Sequence, residues 1–78
     1  MPRLASPDDL FGDVLRAARL EKGLSQEELA LACHRHRTYI SLLERGKNSP
    51  SLRTVFQLAK ALNLDPSELI ERVERRLR

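Results

Sequence analysis

SQEELALACHRHRTYISLLERG, residues 25–46, reads as two short amphipathic helices with few residues between them. Ser25 precedes the first of the pair, and Glu28 stands three residues later, the spacing of a capping box. Leu29, Ala30 and Cys33 form its apolar side. Ile40 and Leu43 mark the second of the pair, which Gly46 ends. Two helices this close make a helix-turn-helix. The arrangement demands a small residue where the helices cross, met by Ala30, and apolar plugs in the angle between them, met by Ile40 and Leu43. Residues 37–42, around those plugs, then face outward on the helix that such motifs insert into a DNA major groove.

The same stretch places Cys33, His34 and His36 within four residues, which raises the question of a metal. A structural zinc site needs four ligands. The whole chain holds one Cys and two His. Cys33 falls on the inward face, where a small apolar residue is expected, and a free Cys is commonly buried. No metal is expected, and the single Cys excludes an internal disulfide.

The flanks continue the helical pattern. Ser6-Pro7-Asp8-Asp9 offers a cap, a first-turn Pro and first-turn acids, and Phe11, Val14, Leu15 and Ala18 recur at helical spacing up to Gly23. Lys47-Asn48-Ser49-Pro50 reads as a loop. Ser51 caps a fourth helix bearing Leu52, Val55, Phe56, Ala59 and Leu62, with Asn63 as its left-handed end. Asp65-Pro66-Ser67-Glu68 opens a fifth, striped by Leu69, Ile70, Val73 and Leu77. No strand pattern is present. The expectation is an all-α, five-helix fold: a tail over residues 1–6 and a single domain over 7–78, with 66–78 its C-terminal helix. Phe11, Tyr39 and Phe56 are the only aromatics, so the core is expected to be aliphatic.

Charge is uneven. Residues 1–28 are net −2, residues 34–60 are net +5, and residues 61–78 balance, within a total of +3. Glu44 is the one acid among Arg35, Arg37, Arg45, Lys47, Arg53 and Lys60. A basic middle points to an anionic partner. No run of about 18 apolar residues and no apolar signal segment exists, so a soluble cytoplasmic protein is expected. There is no supported Ser/His/Asp set and no Gly-rich phosphate loop, so no enzyme, cofactor or small-molecule ligand is expected.

SQEELALACHRHRTYISLLERGKNSPSLRTVFQLAKAL, with LRAARLEKGLSQEELA overlapping it upstream, resembles the Cro/repressor-type helix-turn-helix domain, the XRE family, over about residues 11–70. The resemblance implies a lambda-repressor-like fold and a small bacterial or phage regulator of transcription that binds double-stranded operator DNA. By position it assigns base reading, by the helix at about 36–44, to Arg37, Thr38, Ser41 and Leu42. DNA-backbone contact goes to Gln26, His36, Tyr39, Arg45, Lys47 and Asn48, and a structural ion pair to Arg19 and Glu44. The chain departs from the pattern in its turn. His34 stands where Gly is usual, Arg35 where an apolar residue is usual, and His36 where Ser or Thr caps the reading helix.

One helix-turn-helix reads few base pairs, so a homodimer on a two-half-site operator is expected. The apolar stripe Leu69, Ile70, Val73 and Leu77, with Phe56, is the expected interface. The alternative is an antitoxin or protein-binding adaptor built on the same fold. RNA binding is a weaker option. Hydrogen-bonding side chains on the outward face of 37–42 favour the DNA reader.

Overall fold

Side chains stand ready at the helix starts to take up free amides. The computed structural model describes residues 5–77, and over them five helices follow in order: α1 (Pro7–Glu21), α2 (Gln26–Ala32), α3 (Arg37–Glu44), α4 (Leu52–Ala61) and α5 (Pro66–Leu77). No strand occurs among the described residues. Residues 1–4, most of the expected tail, and Arg78 lie outside them. Ser6, Ser25 and Ser51 each accept the amide of the residue three further on, at 3.0–3.1 Å. In α1 and α2 the acid at that third position, Asp9 or Glu28, accepts the capping residue's own amide, closing a capping box. The Ser25 amide, followed by the Ser25 hydroxyl, holds the Glu28 carboxyl below the usual range.

The ends of α1 to α4 share one device. Gly23, His34, Gly46 and Asn63 adopt left-handed φ of 69°, 57°, 71° and 56°. The amide of the next residue then turns back to the carbonyl five residues before it, as in Leu24 to Arg19 (3.1 Å) and Arg35 to Ala30 (2.8 Å). His34 does this in the turn where glycine is usual, at the steric cost of a Cβ.

The core is aliphatic apart from Phe11, which is buried. Leu15, Leu29, Ile40, Leu43, Leu58, Leu62 and Leu69 are fully buried. α1 packs against α3 and α5, α2 against α3, and α4 against α5. Two stripes differ from the sequence expectation. On α4, Thr54 and Leu58, with the C-cap Leu62, lie on the buried face at four-residue spacing, so that Thr54 is buried and Leu52 exposed, and Phe56, expected at an interface, is exposed. On α5, Leu69 and Val73 face inward, while Ile70 and Leu77 are exposed.

α1 and α3 touch backbone to backbone. A Cβ on the buried Gly12 would lie 2.5 Å from the Leu43 carbonyl oxygen and 2.6 Å from that of Glu44. Beside this contact Arg19 Nε donates to Glu44 Oε2 at 2.6 Å, and Nη2 donates to Oε1 at 3.0 Å. Both residues are 8% exposed. Arg19 Nη1 also donates to the Leu24 carbonyl (2.8 Å), and Gln26 Nε2 to Glu44 Oε1 (3.0 Å). One carboxylate thus ties α1, α2 and α3 together. Its hydrogen bond raises the Arg19 pKa above the ordinary value against the opposing effect of burial, so the guanidinium stays charged.

Two substitutions test this junction. Glu44→Ala leaves Arg19 buried without its counter-charge and should cost about 3–5 kcal/mol. An unchanged urea or thermal midpoint would contradict it. Gly12→Ala drives a methyl into two backbone carbonyls and should cost about 1–3 kcal/mol, with a midpoint about 4–8 °C lower per kcal/mol. Gly23→Ala meets nothing within 4 Å and pays only for its left-handed φ. The Gly12 variant should therefore melt lower, and the reverse order would show that the α1–α3 gap opens freely.

Candidate nucleic-acid interface

The face of α3 is set by what α3 buries. Ile40 and Leu43 are fully buried against α1 and α2, and Ala30, 2% exposed, sits in the α2 wall. Arg37 and Thr38 therefore stand fully outward at the start of α3, while Ser41 and Leu42, further along, are half-buried. The four residues assigned to base reading share one helix, but only the first two are open to solvent.

His36 caps α3. Its Nδ1 accepts the Thr38 amide at 3.0 Å, which requires Nδ1 to be unprotonated and leaves an N–H at Nε2. Tyr39 is half-buried against the core. Arg45 folds back, its Nε reaching the Ser41 carbonyl at 3.4 Å. Lys47 and Asn48 are exposed in the loop after Gly46, and Gly46 is seated directly against Asp9 at the start of α1. Gln26, half-buried, spends its amide N–H on Glu44.

The electrostatics follow from that last bond and from Arg19. Glu44, the single acid between residues 34 and 60, is turned inward and neutralised. Arg35, Arg37, Arg45, Lys47 and Arg53 are all exposed, so the outer surface around α3 carries net positive charge. Glu27 of α2 is the acid nearest this surface in the cleft that Arg35, His36 and Arg37 line.

Sequence reasoning gave Arg35 no role, and the structure gives it two contacts. Its Nη2 donates to Thr54 Oγ1 on α4 at 3.0 Å, and its guanidinium lies over the Tyr39 ring, 4.9 Å from the centroid. The signal was present as an arginine four residues before a tyrosine. Thr54 was missed as well. It is 1% exposed, and its hydroxyl also accepts from Ser51 Oγ at 3.0 Å.

Cys33 and the histidines diverge. Cys33 is buried, its Sγ 3.8 Å from the Gln57 carbonyl, and burial pushes its thiol pKa up. His34 and His36 are exposed. Among the described residues no three His, Cys, Asp or Glu side chains come together as ligands, and no helix is long and apolar enough to cross a membrane.

The expected dimer stripe divides. Leu69 and Val73, 0% and 8% exposed, are in the protomer's own core and are removed from the expected interface, because their side chains point at α1 and α4. Phe56, Ile70 and Leu77 remain exposed, and Leu52, which was not assigned to the interface, is exposed as well at 74%. Leu52, Val55, Phe56, Pro66 and Ile70 line a shallow, mainly apolar groove between α4 and α5 that Ser67, Glu71 and Glu74 also border.

Comparison with known proteins agrees with this geometry. The family model described as helix-turn-helix matches residues 15–69. Control protein C.BamHI of Bacillus amyloliquefaciens is 46% identical over 63 residues, spanning 80% of this chain and 78% of that protein. The restriction-modification controller protein C.AhdI from Aeromonas hydrophila superposes with a TM-score of 0.76 at 44% identity, over 78% of this chain and 92% of that one. The controller protein C.Esp1396I, crystallised as a tetramer with its natural 35 base-pair operator, superposes with a TM-score of 0.84 at 27% identity, over 95% and 97%. The chain belongs to the helix-turn-helix family of the Cro/repressor (XRE) type, a family of DNA-binding transcription regulators and not of enzymes.

Proposed function

We propose that the chain is a cytoplasmic regulator of the restriction–modification controller kind, binding as a homodimer to an operator with two half-sites. The observation that carries this is the outward, positively charged start of α3, where Arg37 and Thr38 stand exposed and the one nearby acid of the segment is neutralised from within. Likeness to C.BamHI and C.AhdI supports the controller role, and the operator complex of C.Esp1396I supports DNA as the partner.

In this reading Arg37 forks onto guanine O6 and N7, and Thr38 contacts a thymine methyl or a base edge. Ser41 and Leu42 read the far end of the same site, Leu42 by apolar contact. The His36 Nε2–H, the Tyr39 hydroxyl, Arg45, Lys47 and Asn48 reach the DNA backbone and set the register. Gln26 stands at the α2 start, where it braces Glu44 and approaches a phosphate. The α4–α5 groove, with Phe56, Leu52, Ile70 and Leu77, joins two protomers, so that residues 66–78 serve dimerisation. The two copies of α3 then stand about 34 Å apart, one turn of DNA.

The direct experiment is a footprint on the DNA upstream of the chain's own coding region, with affinities for operator and scrambled duplex across a salt series. Arg37→Ala should flatten preference at one base pair per half-site, a loss of about 1–3 kcal/mol in discrimination, and leave non-specific binding nearly intact. Lys47→Ala should weaken both duplexes alike and lower the salt slope by about one unit per half-site. Equal losses on both duplexes for Arg37→Ala would make Arg37 a backbone contact and move the reading face elsewhere. Phe56→Glu should yield a folded monomer in sedimentation. A wild-type protein that stays monomeric at high micromolar concentration, free and on DNA, would refute the dimer.

A further inference from the structure

Arg35 holds a position in the turn where the family resemblance has an apolar residue, and its side chain stays at the surface. One N–H of its guanidinium goes to Thr54 Oγ1 at 3.0 Å, and its plane is held over Tyr39. A guanidinium carries five N–H donors in a rigid fork. A neutral donor would hold a threonine hydroxyl equally well, so this tie leaves the full charge unexplained. Among the described residues no carboxylate forms an ion pair with Arg35 or Arg37; both line the same cleft beside His36, where Glu27 is the single acid against two arginines and pairs with neither. Two like charges flanking one residue repel each other unless an anion lies between or across them. The stack and the Thr54 bond also remove most of the rotamer freedom that a long side chain otherwise loses on binding.

We infer that Arg35 is an additional DNA-backbone contact of this chain, pre-set by Thr54 and Tyr39 to place its remaining N–H groups on a phosphate next to the base edge read by Arg37. The turn thereby gives up an apolar plug and gains an electrostatic clamp. The inference rests on the DNA-binding reading above and adds a residue that the family pattern does not assign.

The test is a salt series on Arg35→Gln and Arg35→Lys with two probes, a duplex of the DNA upstream of the coding region and a scrambled duplex of equal length. Glutamine keeps a donor for Thr54 and removes the charge. It should lower the slope of log K against log salt by about one unit per half-site and weaken both duplexes, while the thermal midpoint stays near that of the wild type. Lysine keeps the charge and loses the fork and the planar stack, so its slope should match wild type at reduced affinity. Arg35→Leu restores the apolar residue type and should reproduce the slope of Arg35→Gln. A wild-type slope in Arg35→Gln, whatever its affinity, would reduce Arg35 to a structural tie and overturn this inference alone. A wild-type protein that binds neither duplex would instead overturn the DNA-binding reading, and this inference with it.

Discussion

Glu44 sits at the end of the helix proposed to read DNA, and its charge points away from that surface. The carboxylate takes two hydrogen bonds from Arg19 and one from Gln26. Through it α1, the start of α2 and the end of α3 share one anchor, and Arg19 extends the anchor to the α1–α2 turn through the Leu24 carbonyl. An ion pair of this burial offsets a large desolvation cost and is weak evidence of net stability. Its effect is geometric. It fixes the angle at which α3 leaves the core and keeps the one acid of the basic segment out of the outward field.

The close approach at Gly12 depends on the same junction. Because no side chain intervenes, α1 lies against the last carbonyls of α3. Every helix contributes a fully buried leucine or isoleucine to the core, in which Phe11 is the one buried aromatic. The loop after α3 is held in turn, since Gly46 rests on Asp9 at the α1 start. Lys47 and Asn48 thus leave from a fixed point, which suits residues proposed to set a register on phosphates.

Surface composition divides the molecule into two working faces. Around α3 the exposed groups are cationic and hydrogen-bonding. On α4 and α5 an apolar strip of Leu52, Phe56 and Ile70 lies among exposed charged residues such as Arg53, Glu71 and Glu74. A protomer of this size reads few base pairs, so in the proposed dimer a second copy, joined through the apolar face, would supply the second half-site. The exposed turn residues His34, Arg35 and His36 lead directly into α3. Each departs from the family pattern, yet the backbone of the turn keeps its left-handed end and its return bond from Arg35 to Ala30.

Helix boundaries, caps and ends were legible in the amino-acid sequence because they are local. Ser25 and Glu28, Ser51, Gly23, Gly46 and Asn63 act within four residues of themselves, and a chain of any fold would use them similarly. The inward faces of α1, α2 and α3 were legible for the same reason, through spacing around Phe11, Leu29 and Ile40. What α4 and α5 bury was not, because both carry apolar residues around more than one face. Only the packing partner decides that Thr54 goes in and Phe56 stays out, or that Leu69 and Val73 belong to the protomer's own core. The need for no side chain at Gly12 and the bond from Arg35 to Thr54 arise between segments 19 to 32 residues apart. Such contacts have no period in the sequence, and tertiary structure alone brings them together.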